Sequence, residues 1–195
     1  MIRSKKDYLF YLEADRIALG MPRFTVAIYL KEVISRDFIW KFQRLLRKSE
    51  YYKNVKFSKS IFGKLTYVFI KIRYKNLSLK LGFSIPENVF GPGLAIVHYG
   101  TIVINHRSKI GANCRIHAYT NIGESGGDAG APVIGDNVYI GPGAKIFGAI
   151  SIANGCAIAA NAAVNKSVTE AGMLVAGIPA KALKRIDIKT IIKHL

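Results

Sequence analysis

The sequence predicts a mainly β fold, in which short parallel strands stack as the coils of a triangular β-helix behind an N-terminal α-helical domain. Three observations support this prediction. An aliphatic residue recurs every six positions from Ile104 to Val164, with one interruption; the fifth position of most windows is small or compact; and residues 1–82 lack the period. A period of six fits neither a helix nor an alternating strand, whereas short internal repeats are typical of stacked coils.

The first 82 residues are predicted to form a basic helical domain. Ser4 is placed to cap a first helix that runs to Leu19. Two further amphipathic patterns follow, one around 38–46 and one around 61–72, each with an apolar stripe beside basic residues. We expect these stripes to pack against the protein itself, and a peripheral contact with an anionic membrane is the alternative.

The net charge of +17 is concentrated in this domain. Residues 1–82 hold 19 Lys and Arg against 6 Asp and Glu, whereas residues 83–195 hold 10 against 6. Such a surface attracts polyanions, but no nucleic-acid motif accompanies it, so nucleic acid is not an expected partner. No signal peptide and no apolar run of bilayer length are visible, which predicts a cytoplasmic protein, with a peripheral position at the inner membrane surface as the alternative.

Residues 83–180 are predicted to form the coil. The aliphatic residue that opens each window fills the prism, and the compact fifth residue lets the next coil lie close. A Gly- and Ser-rich stretch breaks the repeat and predicts a projecting loop over 124–133. Residues 181–195 form a basic C-terminal tail, which we expect to close the coil as a short helix or to contact another subunit.

The position of His98 relative to the repeat is open. Counting six residues back from Ile104 puts His98 in the aliphatic position, whereas a shift of one residue gives that position to Val97. The count alone therefore does not predict where the imidazole points.

Several motifs accompany the repeat between Ser84 and Ile186. They are Ile85-Pro86, Gly91-Pro92-Gly93-Leu94, His98 followed by Gly100, Ser125-Gly126-Gly127-Asp128, Ile134-Gly135-Asp136-Asn137 and Val175-Ala176-Gly177-Ile178-Pro179-Ala180-Lys181. With them, about half of the chain resembles the left-handed parallel β-helix acyltransferases, and within these the serine-acetyltransferase branch. The resemblance implies a left-handed coil that transfers an acetyl group from acetyl-CoA without a metal.

By this resemblance, His98 is the general base. An alcohol is a poor nucleophile, and a neutral imidazole can take its proton as the oxygen attacks the thioester. The resemblance implies oxyanion donors near Gly123 and Glu124. It also implies a homotrimer, or a dimer of trimers, because the sites of these enzymes lie between neighbouring coils.

The resemblance also implies a coenzyme A site. Its pantetheine groove would lie at the repeat corners formed by Gly141, Ala159 and Ala160. The Lys181 side chain would meet a phosphate, helped by Lys184 and Arg185, although a solvated basic tail is the alternative for these three residues.

Three departures from the branch affect the acceptor. Phe83 and Ser84 stand where the branch has an Asp before its Ile-His-Pro segment; Val97 replaces the Asp that precedes the catalytic His; and Ala129-Gly130 replaces Arg-His. A site without these charged partners is expected to bind serine poorly. We therefore predict O-acetylation of a saccharide of capsule, exopolysaccharide or lipopolysaccharide, free or lipid-linked. The candidate acceptor contacts are Tyr99, Asn105, Tyr119 and Asp128.

Three alternatives are open. The first is O-acetylation of L-serine in cysteine biosynthesis. The second is a zinc lyase on the same coil, for which His98, His106 and His117 are available at an unsuitable spacing. The third is a non-enzymatic scaffold that binds membranes or nucleic acid through the basic segment.

Overall fold

The computed structural model describes residues 1–22, 37–127 and 130–195. Helices α1 (Lys5–Ala18), α2 (Phe38–Tyr51) and α3 (Ile61–Leu81) come first, with a π-helical turn at Tyr52–Lys56 between the last two. Short strands follow, and a 3-10 turn at Ile188–Thr190 lies near the end. The strands are β1 Phe83–Ser84, β2 Ala95–Ile96, β3 Ile102–Ile104, β4 Lys109–Ile110, β5 Arg115–Ile116, β6 Thr120–Gly123, β7 Val133–Ile134, β8 Tyr139–Ile140, β9 Lys145–Phe147, β10 Ser151–Ile152, β11 Ala157–Ile158, β12 Ala163–Val164, β13 Met173–Gly177 and β14 Ala180–Arg185.

The strands form three sheets, which are the three faces of a prism. One face has the order β1-β3-β6-β9-β12, the second β10-β7-β4, and the third β14-β13-β11-β8-β5-β2. From β1 to β13 successive strands of the chain pass from face to face and pair in parallel with the strand one coil away, whereas β14 pairs antiparallel with β13. The prediction of a left-handed parallel β-helix behind an N-terminal helical region is confirmed.

The six-residue period corresponds to the packing of the core. All ten aliphatic residues that open the windows are buried, from Ile104 to Val164. Most of the compact fifth residues are buried as well, among them Cys114, Ala144 and Ala162, so they fill the prism rather than only spacing its coils. Both cysteines are free and buried.

The segment that carries His98 departs from the period. The buried residue in register with Ile116 is Ile96, not Val97 or His98. Ile104 lies eight positions after Ile96, whereas the equivalent residues Ile116 and Ile122 are six positions apart, so this turn is two residues longer than the repeat provides. His98 lies in that longer turn, outside the core, and its side chain is exposed.

The predicted first helix is confirmed nearly to the residue. Ser4 accepts a hydrogen bond from the backbone N–H of Asp7, and α1 ends at Ala18. Helix α3 ends at Gly82, which has a φ of 74°, a value that glycine adopts without strain. The chain then enters β1 directly, so α3 is fixed to the first coil.

A buried charged cluster joins the helices to the coil. The fully buried guanidinium of Arg47 pairs with Asp15 at 2.8 Å and with Glu50 at 3.1 Å. It also donates to the carbonyl oxygens of Phe90 and Gly91, at 3.0 and 2.6 Å. Because each buried charge has a partner, the cluster avoids the large cost of an unpaired charge in the interior.

Two further side chains of these helices reach the chain near His98. Asp15 accepts the backbone N–H groups of Gly93 and Leu94 at 2.9 and 2.8 Å. The Gln43 amide donates to the Leu94 carbonyl at 2.7 Å and accepts the Ile96 N–H at 3.2 Å. Strand β2 is therefore held by α1 and α2 just before the turn that carries His98.

The expectation that the apolar stripes pack inward is wrong for α3. The stripe residues predicted on this helix are exposed, whereas a different face is buried. The buried face contains Ile70, Tyr74, Leu77 and Leu81, of which the last three join the main core. In α2 the expectation is correct, because Ile39, Phe42 and Leu46 are buried.

The expected closing helix of the tail is also wrong. Residues Ala180–Arg185 form β14, which pairs antiparallel with β13. Only Ile188–Thr190 forms a short helical turn, and Ile192 beyond it is fully buried. The tail therefore belongs to the coil rather than extending from it.

Candidate active site

Six of the thirteen predicted site residues lie on one edge of the prism. The turns 97–101, 117–119, 141–144 and 159–162 lead from the six-stranded to the five-stranded face and stack above one another. We call this edge the His98 corner. It brings together His98, Tyr99, Tyr119, Gly141 and the pair Ala159-Ala160.

His98 has an imidazole neighbour at this corner. The ring centroids of His98 and His117 are 5.5 Å apart, and Tyr139 contacts the other side of His117 at 5.1 Å. The Nε2 atom of His117 is buried and has no hydrogen-bond partner among the described residues. Burial, with the charges of Arg115 and His98, lowers the pKa of His117 to about 4. His117 is therefore neutral near pH 7 and offers an acceptor beside His98.

Sequence reasoning considered His117 only as a metal ligand. The register shows what it missed: Val97, His117, Gly141 and Ala159 each follow the aliphatic residue of the same face. His117 is the titratable side chain in this otherwise small or aliphatic column, next to the turn that contains His98. Aligning the windows by face, rather than by count, would have identified it.

The side chains at the His98 corner become smaller towards the C-terminus, from His117 to Gly141 and Ala159. A Cβ atom on Gly141 would lie 2.8 Å from the backbone nitrogen of Ala160 and 2.9 Å from the Ile158 oxygen, so a side chain has no room there. Ala159 is half-buried and Ala160 exposed. The result is a shallow surface of small groups that runs along the stack away from His98.

The predicted phosphate-binding residues lie at the end of this stack. Lys181 is paired with Ala176, and Lys184 with Leu174, across the β13–β14 ladder. Four strand spacings of about 4.8 Å separate β5 from β14, a span of about 19 Å. Both lysines are exposed and form no ion pair within the described residues. Arg185 differs, because it pairs with Glu170 at 2.5 Å.

A second group of predicted residues lies on another edge. Asn105 and Gly123 are at the turns that leave the five-stranded face. Glu124 follows Gly123 and forms an ion pair with Arg107 at 3.3 Å. A single chain therefore does not bring Asn105, Gly123 and Glu124 to the His98 corner.

The predicted acceptor residues are divided in the same way. Tyr99 and Tyr119 are exposed at the His98 corner, and Tyr119 has a φ of 63° that turns the chain sharply there. Asp128 and Ala129 lie outside the described residues. Phe83, at one position where the branch has an Asp, is buried in the core. No described carboxylate forms a hydrogen bond or ion pair with His98.

Two features of the described residues concern the zinc-lyase alternative and the relation to a membrane. No group of three His, Cys, Asp or Glu side chains there is arranged to hold a metal ion. No helix in those parts of the chain combines the length and apolarity needed to cross a bilayer.

Comparison with known proteins gives one consistent result. No family model matches the chain. A serine acetyltransferase of Mycobacterium tuberculosis is 35% identical over 100 residues, covering 50% of this chain and 43% of that protein. Another, from Staphylococcus aureus, is 36% identical over 106 residues, covering 53% and 49%. The chain spans less than half the length of these relatives in the matched regions.

Solved structures give the same fold over nearly the whole chain. The Brucella abortus serine acetyltransferase superposes with a TM-score of 0.71 at 23% identity, covering 94% of this chain and 71% of that one. The Neisseria gonorrhoeae enzyme gives 0.68 at 26%, covering 93% and 66%. The Brucella abortus protein has also been solved with coenzyme A, and that structure gives 0.67 at 23%, covering 93% and 69%.

These comparisons correct the predicted acceptor. The relatives and the structural neighbours are named serine acetyltransferases, so the findings contradict the saccharide prediction and favour its L-serine alternative. The departures at Phe83, Val97 and Gly130 therefore do not indicate a different acceptor. The resemblance of this chain to the serine-acetyltransferase branch of the hexapeptide-repeat acyltransferases is confirmed, in sequence over about half its length and in fold over nearly all of it.

Proposed function

We propose that the chain is an acetyl-CoA-dependent O-acetyltransferase that acetylates the hydroxyl of L-serine. The observation that carries the proposal is the exposed His98 beside the neutral His117, at the head of a corner of small residues that ends in two unpaired lysines. Sequence similarity to serine acetyltransferases supports the acceptor.

In the proposed reaction His98 moves one proton. Its neutral imidazole takes the proton of the serine hydroxyl while that oxygen forms a bond with the thioester carbonyl carbon. The tetrahedral intermediate then expels the coenzyme A sulfur, which receives the proton from the imidazolium. The products are O-acetyl-L-serine and coenzyme A, so His98 ends as it began.

We propose that His117 positions His98. A base needs one ring nitrogen free for the substrate, and the tautomer is set by the hydrogen bond that the other nitrogen makes. The buried, unpartnered Nε2 atom of His117 offers an acceptor for such a bond. In this role a neutral imidazole replaces the carboxylate of the branch.

The donor is proposed to lie along the His98 corner. Gly141 and Ala159 present only small groups along this corner, over which the pantetheine arm would lie, and Lys181 and Lys184 are placed for the phosphates at the far end. Arg185 is a weaker candidate, because Glu170 already neutralises it. A negatively charged donor would approach this surface readily, because Lys181 and Lys184 are exposed.

We propose that the working form is a homotrimer. The candidate oxyanion donors near Gly123 lie on a different edge of the prism from His98. Packing the coils side by side around a threefold axis would bring one edge of each chain against a different edge of its neighbour. This arrangement would complete each site between two chains. We also propose that the protein acts in the cytoplasm, where its donor is made.

The site predicts weak binding of serine. Within the described residues, no carboxylate forms a hydrogen bond or ion pair with His98, and in the sequence Ala129-Gly130 replaces the Arg-His pair of the branch. Fewer charged partners for the ammonium and carboxylate of serine should raise KM without removing the chemistry at His98.

The test is thiol release from acetyl-CoA with L-serine as the acceptor. We expect the substitution His98→Ala to lower kcat by about 10²- to 10⁴-fold, the usual contribution of a general base. The control is Lys48→Ala, which removes an exposed side chain of α2 away from the coil edges and should leave kcat unchanged. Circular dichroism checks that both variants fold. Full activity of His98→Ala, or no serine-dependent thiol release by the natural chain at any serine concentration, would overturn the proposal.

A further inference from the structure

Helix α3 carries an exposed apolar surface. Six large apolar side chains on it are between 50% and 77% exposed. They are Ile61, Phe62, Leu65, Val68, Phe69 and Ile72. We call this surface the α3 outer face. Their spacing places them on one side of the first three turns of the helix, about 18 Å long. Contiguous apolar surfaces of this kind mark sites of interaction.

The α3 outer face cannot turn inward within this chain. The opposite side of the helix is anchored by Ile70, Tyr74, Leu77 and Leu81, all buried. Tyr74 stacks on Phe42 of α2 at 5.4 Å and donates a hydrogen bond to the Ile85 carbonyl. Lys71 pairs with the nearly buried Glu87 at 2.6 Å. The helix is therefore held in one rotation about its axis, with its apolar side outward.

The rim of this face is basic. Between Glu50 and Glu87 the sequence contains eight Lys and Arg and no Asp or Glu. Lys64 and Arg73 border the apolar side chains, with Lys64 placed 5.7 Å above the Phe57 ring and Arg73 5.6 Å above the Phe69 ring. Lys75 and Lys80 are exposed further along the helix. Long basic side chains around an apolar patch suit an interface between hydrocarbon and anionic groups.

We infer that the α3 outer face docks on the surface of an anionic lipid bilayer. Phe62, Phe69 and their apolar neighbours enter the boundary between headgroups and acyl chains, and the basic rim contacts the lipid phosphates. The helix lies in the plane of the surface, because its other side remains packed on α2 and the coil. The contact is peripheral and does not depend on acetyl transfer.

Charge favours a bilayer over a second copy of the chain. In a symmetric dimer through this face, each basic rim would meet the same rim of its partner. No acidic residue of α3 is available to offset that repulsion. An anionic bilayer instead provides the opposite charge on all sides of the patch at once.

The test uses the full chain and vesicles of phosphatidylcholine, with or without phosphatidylglycerol, in a flotation assay. We expect binding to the mixed vesicles at low salt, and weaker binding to phosphatidylcholine alone. The double variant Phe62→Gln/Phe69→Gln should bind at least about tenfold more weakly, because two large apolar side chains are lost. Lys64→Gln/Arg73→Gln should weaken binding to the mixed vesicles and reduce its salt dependence.

The matched control is Val133→Gln/Leu183→Gln, which removes two exposed apolar side chains from the coil and should bind as the natural chain does. His98→Ala should also bind normally, so the lipid result does not depend on the proposed catalysis. Equal binding by the Phe62/Phe69 variant, or none by the natural chain, would overturn the inference. Light scattering without lipid provides the other decisive result: a change of oligomeric state in that variant would assign the face to contacts between subunits instead.

Discussion

The β-helical coil and the helical cap, by which we mean helices α1, α2 and α3, are stabilised in different ways. In the coil, one aliphatic residue per window is buried in register with its equivalents, as Ile116 is with Ile140 and Ile158. In the cap, a fully buried Arg47 holds two carboxylates and two backbone carbonyls, while a row of apolar side chains on α3 remains exposed. The coil is therefore stabilised mainly by buried aliphatic residues, whereas the cap buries a charged cluster and leaves part of its apolar surface exposed.

The difference follows from what each region must do. A repeating coil needs only the same small contact many times, and dispersion and the hydrophobic effect provide it. The cap must fix one particular junction, and directed bonds such as those of Asp15 to Gly93 and Leu94 select one orientation. We therefore expect the two regions to respond differently to the same kind of perturbation.

The largest effect is expected at Arg47. The substitution Arg47→Met leaves the buried carboxylates of Asp15 and Glu50 unpaired, and it should lower the free energy of unfolding by about 3–5 kcal/mol. Urea denaturation measures this loss. Lys48→Met is the control, because Lys48 is exposed on the same helix and should change stability little. Equal effects of the two substitutions would contradict the role given to the cluster.

The coil should be less sensitive at any one position. Ile140→Ala removes a buried side chain from the middle of the prism and should cost about 2–4 kcal/mol, with part of the loss due to the cavity. Since no charge is involved, this loss should not change between low and high salt. Val133→Ala, at an exposed position, is the comparison. A strong salt dependence in Ile140→Ala would remove the distinction between the regions.

Substitutions of Gln43 test whether the helical cap influences catalysis at His98. Gln43→Leu leaves the Leu94 oxygen and the Ile96 N–H without partners, which should cost about 1–3 kcal/mol of stability. It should also lower kcat more than it raises KM, because the turn with His98 follows directly. Gln43→Glu keeps the acceptor for Ile96 and should recover part of kcat. A stability loss with unchanged kcat would limit Gln43 to a structural role.

The smallest effect is a pH dependence from His117. Its pKa is about 4 in the folded chain and 6.5 in a free histidine, so the unfolded chain binds more protons between these values. Stability should therefore fall as pH drops from 6.5 towards 4, by about 1–2 kcal/mol after allowance for the half-exposed ring. His117→Phe should lose most of this slope in thermal unfolding curves, with a smaller slope left from His194, whose pKa is also lowered by burial. An unchanged slope would contradict the assignment.

The sequence predicted those features that repeat or that depend on local chemistry. The buried positions of the coil follow from the period, and the Ser4 cap and the end of α1 follow from residues within one turn. The longer turn before Ile102 interrupts the count, so counting offers His98 or Val97 at the position where the structure has Ile96. The apolar stripe of α3 was predicted to pack inward and is exposed instead, because such a stripe shows that a helix is amphipathic but not which side packs against the protein.

The candidate site was predictable only in part, for a similar reason. His98 and the small residues at Gly141 and Ala159 could be identified from motifs. No motif identifies His117, and alignment of the windows by face shows only its place in the column, because its significance depends on the His98 ring, which lies 19 positions earlier and which the coil brings to 5.5 Å. Burial lowers its pKa, and burial is a property of the folded stack rather than of any window of sequence.

The ends of the six-stranded sheet have a consequence for assembly. A parallel stack of identical layers offers free N–H and C=O groups at its last strand, where another chain could add a layer and begin a fibre. Here the side-chain amide of Gln43 occupies these groups on β2, and β14 reverses direction at the opposite end. Neither end of this sheet therefore presents the regular parallel edge on which another coil of the same kind would stack.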